Sequence, residues 1–249
     1  MKSYKLAKYN IIISLKAIII YYCILIAVMT SITLISEFYG GNTSASGIEF
    51  SSMIFLLVLG LNFFKENFYF AQANNISRED YFKSVVIAIL PTALGMSMID
   101  VIINRVYNVF APGPTMYDMS YNNFTGIYLN KEVWIQSNSI GTLFGTVTFL
   151  FAFYIVAFAI GLLITLIYSK CNKIMKILVS LSPLVIAAIL GNISYNSPEF
   201  GKKVAIFVDN IFGISTRNSY IAVMTFICLF LIVMFFVYML VRRAVVKKV

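Results

Sequence analysis

The side chains best suited to chemistry within the apolar part of this sequence are two carboxylic acids, Glu49 and Asp100. Acids inside hydrophobic segments commonly mark ion pathways, proton relays or buried ion pairs. Both lie near the ends of their apolar runs, whereas ion-coupled carriers usually place such groups nearer the middle of the bilayer. Arg105 follows Asp100 by five residues, so we expect the two either to pair loosely or each to reach the membrane interface. An ion-coupled secondary transporter is therefore an alternative and not the first choice.

Other kinds of chemistry lack their residues. The chain contains no histidine, which excludes Ser-His catalysis, histidine-ligated zinc and histidine proton relays. It has no phosphate-binding loop of the GxxxxGK[ST] pattern. Its three cysteines, Cys23, Cys171 and Cys228, have neither metal-binding spacing nor the pattern of a disulfide framework. We therefore expect no catalytic residue, no metal ligand and no cofactor in this chain. A membrane enzyme would need an Asp or Ser-Lys dyad, which we cannot place at one depth.

Composition shows what must carry these residues. The chain has 249 residues, of which 60% are hydrophobic and 12% charged. A soluble domain of this length could not bury so much apolar surface. The apolar runs are continuous for about 17 to 28 residues, which predicts membrane-spanning helices and not a β-barrel. We predict an all-α integral membrane protein in which residues 1–249 form one transmembrane domain with six spans, at about 17–35, 48–64, 85–103, 140–167, 177–193 and 220–241.

Two further segments have helical signatures without being spans. Lys2, Lys5 and Lys8 are spaced by three residues, with Leu6 and Ala7 largely opposite, which is typical either of an interfacial helix or of a plain basic leader to the first span. Residues 202–212 are too short to cross a membrane and too apolar for a free loop, so we predict an outer re-entrant or interfacial helix before the sixth span. In the fourth span, the four-residue spacing of two glycines, at positions 141 and 145, permits close helix packing.

The distribution of basic residues predicts the orientation of the chain. Fourteen of the nineteen basic residues fall in one alternate set of connecting segments, namely Lys2, Lys5, Lys8, Lys16, Lys65, Arg78, Lys83, Lys170, Lys173, Lys176, Arg242, Arg243, Lys247 and Lys248. Lysine and arginine are in excess on the cytoplasmic side of membrane proteins. Both termini and residues 65–84 are therefore expected in the cytosol, in a multi-pass protein of the plasma membrane. Because the basic residues flank spans, the net charge of +9 does not indicate nucleic-acid binding.

Residues 65–84 are the only long charged segment between spans on that side. Ser77 is placed to cap a helix that begins at Arg78, with Asp80 three residues after the cap. Asn74 and Asn75 are typical of a helix that ends in a left-handed turn. An aromatic cluster of Phe68, Tyr69 and Phe70 precedes the turn, and a plain linker would not need to expose it. The pattern predicts helix, tight turn and helix, and a simple solvated hairpin remains the alternative.

Residues 73–82, Ala-Asn-Asn-Ile-Ser-Arg-Glu-Asp-Tyr-Phe, resemble the run that many type-2 ATP-binding-cassette exporter permeases carry between their second and third spans. The resemblance also covers the six spans, the two cytosolic termini and the absence of a nucleotide site. It implies that the segment is a coupling helix which docks on a separate ATPase. The coupling residues would be Phe68, Tyr69, Phe70, Asn74, Asn75, Ser77, Arg78 and Asp80.

The resemblance also implies the partners. ATP and Mg²⁺ would bind to cytosolic ATPase subunits, and a second permease copy, identical or different, would complete the transporter. The N-terminal basic helix would be the family's interfacial connecting helix. Aromatic and aliphatic spans with little fixed charge suit a hydrophobic or amphipathic cargo, and small permeases of this kind resemble exporters of amphipathic, modulin-like peptides and self-immunity pumps. A non-transporting immunity or scaffold protein would have the same composition.

Overall fold

The computed structural model describes residues 2–39, 46–122, 124, 128–129 and 132–244. Lys131, Lys247 and Lys248 of the charge count lie outside them. Eight α-helices and one pair of two-residue strands follow in the order α1 (Lys2–Tyr39), α2 (Glu49–Ala73), α3 (Arg78–Tyr107), α4 (Met116–Tyr121), β1 (Tyr128–Leu129), β2 (Glu132–Val133), α5 (Ile140–Lys170), α6 (Lys173–Asn196), α7 (Pro198–Phe212) and α8 (Ser219–Arg242). The predicted helical class is confirmed, and the strands form a minimal antiparallel pair.

Six of these helices, α1, α2, α3, α5, α6 and α8, are long and apolar enough to cross a membrane. They correspond one for one to the six predicted spans. The helices run beyond the apolar runs, because polar residues that can face water continue the helical hydrogen bonding past the hydrocarbon region. Helices α2 and α3 are both longer than the predicted spans, and only a four-residue turn, 74–77, separates them. No separate helix therefore lies between α2 and α3.

Helix α1 covers both the segment predicted as an interfacial helix and the first span. Its 38 residues correspond to about 57 Å, well beyond a hydrocarbon core of about 30 Å. The two predicted pieces are continuous because the segment contains no glycine or proline to interrupt it. As its pattern predicted, Leu6 and Ala7 are buried while Lys5 and Lys8 are exposed.

Helix α5 is the centre of the bundle and packs against α2, α3 and α8. Gly60 on α2 faces the backbone of Phe158, and Gly161 on α5 faces the backbone of Leu57, so neither site has room for a Cβ atom. The close helix approach that the spacing of the two other glycines of α5 permits occurs at only one of them, and there it is with the short helix α4. Gly141 faces open space, and Gly145 accommodates the Tyr117 ring of α4.

Helices α6 and α7 lie beside the bundle. None of the residues of either helix is buried, and α6 packs mainly on α7, which in turn contacts α8. Helix α7 is the predicted short outer helix, and it begins with Pro198 in its first turn and ends at Gly213 with φ of 61°.

Candidate functional site

The predicted coupling residues lie at one end of the bundle, which we name the terminus-side end. It comprises the start of α1, the α2–α3 turn (residues 74–77), the α5–α6 connection and the end of α8. The opposite end, with α4, α7 and the long connection after α3, is the loop-side end. The two candidate sites of the protein lie at these two ends.

The α2–α3 turn is a closed backbone motif. Asn75 has φ of 52°, the left-handed conformation that asparagine tolerates better than most residues. The N–H of Ile76 donates to the carbonyl of Ala71 at 2.9 Å, and the N–H of Asn75 donates to that of Gln72 at 3.1 Å. These two bonds are the Schellman pattern, which satisfies the last carbonyls of a helix. The predicted left-handed asparagine turn is confirmed.

Ser77 starts α3 as the sequence predicts. Its hydroxyl oxygen accepts from the backbone N–H of Asp80 at 3.0 Å, and the hydroxyl donates to the Asp80 carboxylate at 2.9 Å. Glu79 and Asp80 also place acids at the positive end of the helix dipole. The C-cap Asn74 and the N-cap Ser77 are three residues apart, so the turn is capped at both of its ends.

The turn is connected to both terminal helices. Arg78 Nη1 donates to the carbonyl oxygen of Arg242 at 2.6 Å, which caps the end of α8. Lys2 Nζ donates to the carbonyl oxygen of Asn75 at 3.5 Å. The Phe70 ring stacks on Tyr9 of α1 at a centroid distance of 4.5 Å. A displacement of this turn would therefore move the ends of α1 and α8 together with α2 and α3.

The three aromatic residues before the turn have different environments, as a helical rotation of about 100° per residue requires. Phe68 is 3% exposed and packs on Phe64 and Tyr81 inside the bundle. Tyr69 is half-buried and lines a cleft, while Phe70 is 40% exposed beside α1. Asn74, Asn75 and Ser77 of the turn are exposed, and so is Arg78 at the start of α3. Phe68 thus supports the turn from inside, and the others present its surface.

The second site is an acid pair that the loop-side half of the bundle encloses. Glu49 is 1% exposed and Asp100 is 4% exposed, so the interfacial position expected for Asp100 is wrong. Tyr154 of α5 donates a hydrogen bond of 2.5 Å to Asp100 Oδ2. Neither Glu49 oxygen has a hydrogen-bond partner among the described residues, although the Met116 N–H lies nearby. Burial of an acid with so few hydrogen-bond partners is costly, which makes this pair a candidate functional site.

Arg105 does not join Asp100 but faces Asp118 of α4, with Nη1 3.9 Å from Asp118 Oδ2. Asp118 forms a capping box with Thr115 at the start of α4, and Gln136 Nε2 donates to it at 2.8 Å. Helix α4 is thus fixed above the acid pair. Tyr121 also holds α4, because its hydroxyl donates to the Phe212 carbonyl of α7 at 2.8 Å. Burial raises the pKa of Tyr121 to about 12.

Sequence reasoning missed this enclosure because α4 is too short to give a periodic signal. The signal that was present is the Thr115–Asp118 spacing, which is that of a capping box. This spacing predicts the start of a helix in the connection after α3, close to the end of α3.

Comparison with known proteins gives no relative for this arrangement. The chain matches no protein-family model, no curated protein and no solved structure.

Proposed function

We propose that this chain is the membrane permease subunit of an ATP-binding-cassette exporter, which moves a hydrophobic or amphipathic cargo, such as a toxin or antimicrobial peptide, out of the cell. One observation carries the proposal. The α2–α3 turn is doubly capped and bonded through Arg78 and Asn75 to the ends of α8 and α1. A rigid exposed element with such connections can transmit the movement of a cytosolic ATPase to several spans. A solvated linker would need none of these bonds.

An apolar groove supports the nature of the cargo. It has a volume of about 590 Å³ and lies between α1 and α3 in the loop-side half. Its two threonines, Thr30 and Thr33, donate to carbonyl oxygens of their own helix, which leaves aliphatic and aromatic walls such as Ile102 and Phe110. The Tyr107 hydroxyl is the one lining group without a hydrogen-bond partner among the described residues, and walls with so few free donors favour an apolar or amphipathic ligand over a sugar.

Helix α6 supports the proposed pairing of two permease copies, identical or different. It is the one span candidate without a buried residue in the described part of the chain. Ala187 and Gly191 lie four residues apart on it, and Gly191 faces open space. Small residues at this spacing let helices approach closely in a bilayer. In this proposal the cargo pathway lies between the two copies.

Purification from native membranes tests the proposal. A tagged chain in mild detergent should retain an ATPase subunit, and the purified complex should hydrolyse ATP while the chain alone should not. In proteoliposomes the complex should move a labelled amphipathic peptide only with ATP and Mg²⁺. Hydrolysis by the chain alone would contradict the proposal, and recovery without an ATPase would favour the immunity or scaffold function.

A second candidate, an ion-coupled secondary transporter, is favoured by one observation, the buried acids Glu49 and Asp100. Replacing Glu49 by Gln separates the two functions, because it removes an ionisable group and keeps the size of the side chain. An ATP-driven permease should retain transport in Glu49→Gln. In a carrier driven by an ion gradient, Glu49→Gln should abolish accumulation of the cargo. The wild-type protein would then need no ATP for transport.

A further inference from the structure

A cleft at the terminus-side end has the composition of an anion site. It has a volume of about 620 Å³ and lies between α2, the end of α5, the start of α6 and the residues after α8. Four cationic side chains line it, one from each of these segments: Lys65, Lys170, Lys176 and Arg243. No acidic residue lines it. We name these four residues and the space between them the basic cleft.

The charges of the basic cleft are not neutralised from within the described residues. The ion pairs among the described residues join Lys83 to Glu79 and Arg105 to Asp118. Neither pair involves a residue of the basic cleft. Glu66, the neighbour of Lys65, lines a different cleft on the side of α2 that faces Tyr9. Four like charges around one space repel each other, so an anion in that space is stabilised by all of them.

The hydroxyl groups of the cleft are mostly occupied. Thr165 donates to the carbonyl of Leu61, and Ser169 donates to that of Leu166. The Tyr168 hydroxyl is bonded to that of Ser180. Recognition therefore rests on three ammonium groups and one guanidinium, whose planar fork suits two oxygens of one phosphate. A neutral hydroxylated ligand would find few free donors.

The position of the cleft points to a lipid. Each of the four cations flanks an apolar run, with Lys65 directly after one and Lys176 directly before another. Basic residues at such boundaries lie at the depth of lipid headgroups. Two buried aromatic side chains, Phe64 and Phe68, form an apolar wall beside the charges. A ligand with a phosphate next to an apolar part matches both walls.

We propose that the basic cleft binds the phosphate-bearing headgroup of an anionic membrane lipid, as basic pockets between spans can do. Bound there, the lipid would join α2, α5, α6 and the chain after α8 at the same end as the α2–α3 turn. Lipid binding would thereby stabilise the terminus-side end. The proposal requires only that the protein lies in a membrane and is independent of the transport function.

Native mass spectrometry of the purified full chain tests this proposal. The detergent-solubilised protein is titrated with phosphatidylglycerol, with phosphatidylcholine and with inorganic phosphate as separate probes. We expect phosphatidylglycerol to bind at least tenfold more tightly than phosphatidylcholine, and inorganic phosphate not to displace it. Equal binding of the two lipids, or displacement by free phosphate at similar concentration, would overturn the assignment to an anionic lipid.

Two double variants locate the site. The double variant Lys170→Gln with Arg243→Gln should weaken phosphatidylglycerol binding about thirty-fold. Each basic residue near an anionic headgroup contributes a factor of about five, and the two factors multiply. The matched control, Lys173→Gln with Arg242→Gln, removes the same charges from neighbouring positions that do not line the cleft. An equal loss in both variants would show general surface attraction and overturn the proposal. Lys170→Arg should retain binding, and unchanged helical circular dichroism excludes misfolding as the cause.

Discussion

At the scale of single residues, Asn75 is a position where the backbone restricts the side chain. Its φ of 52° suits asparagine or glycine, whereas a β-branched residue there is strained. We expect Asn75→Gly to retain the stability of the turn and Asn75→Val to lower the free energy of unfolding by about 1–3 kcal/mol. Asn74→Val, at φ of −93°, is the control for backbone strain and loses only the exposed bond from Asn74 Nδ2 to the Phe70 carbonyl. Unfolding by denaturant titration in detergent measures the difference, and equal effects at both positions would contradict it.

The buried pair of Asp100 and Tyr154 is the second test at this scale. Tyr154→Phe removes the hydroxyl that donates to Oδ2 of the buried Asp100 carboxylate, while Ser52 and Tyr22 remain beside that carboxylate. Since hydrogen bonds to charged groups contribute about 1.5–3 kcal/mol, a loss of that size is expected in the free energy of unfolding.

Tyr220→Phe serves as the control, because Tyr220 is exposed and its hydroxyl forms no hydrogen bond among the described residues. In a double-mutant cycle, Tyr154→Phe and Asp100→Ala should be strongly non-additive. Simple additivity would mean that the two side chains do not interact.

At the scale of helices, the contact of α2 with α5 depends on two glycines, one on each helix. Gly60→Ala inserts a Cβ atom against the Phe158 backbone, which cannot move aside as a side chain can. We expect a clear drop in thermal stability, of about 1–3 kcal/mol as for overpacked cores. Gly161→Ala should behave alike.

Gly95→Ala is the matched control, since Gly95 lies inside α3 with no neighbouring atom within 4 Å. It should keep or raise stability by up to about 1 kcal/mol, because alanine favours the helix. Circular dichroism melting in detergent gives the comparison. A Gly60→Ala protein as stable as Gly95→Ala would contradict the close packing of these helices.

Some features of these helices could be predicted from the sequence, and others could not. The six spans and the caps at Asn75 and Ser77 were predictable, because apolar runs and capping residues act locally. The burial of Glu49 and the contact of Gly60 with Phe158 were not. Both depend on which faces of distant segments meet, and the apolar spans carry little periodicity to indicate that. For the same reason, the spacing of Gly141 and Gly145 did not reveal that only Gly145 meets another helix, through the Tyr117 ring.

At the scale of the whole molecule, the orientation of the chain is open to direct labelling. The excess of lysine and arginine predicts that the terminus-side end faces the cytosol. In a variant without native cysteines, Asn138→Cys at the loop-side end should react with an impermeant thiol reagent in intact cells. Asn74→Cys should react only after permeabilisation. The reverse pattern would place the α2–α3 turn outside, where no cytosolic ATPase could reach it.

The central claim is that the α2–α3 turn transmits ATP hydrolysis to the spans. Single alanine substitutions of Phe68, Tyr69, Phe70, Ser77 and Arg78 test it, each scored for ATPase pull-down and for transport in proteoliposomes. Lys83→Ala is the control, because Lys83 is exposed on the same helix and pairs only locally, with Glu79.

The most direct test compares two variants in two assays. The ratio of transport to ATP hydrolysis is measured in Arg78→Ala, and the affinity for the ATPase is measured in Phe70→Ala. Loss of the exposed Phe70 ring should weaken ATPase binding by about 2 kcal/mol, or roughly thirty-fold. Loss of the Arg78 bond to α8 should leave binding in place and reduce transport per ATP. If all five variants keep wild-type binding and transport, the turn is only a linker and the proposed coupling is wrong.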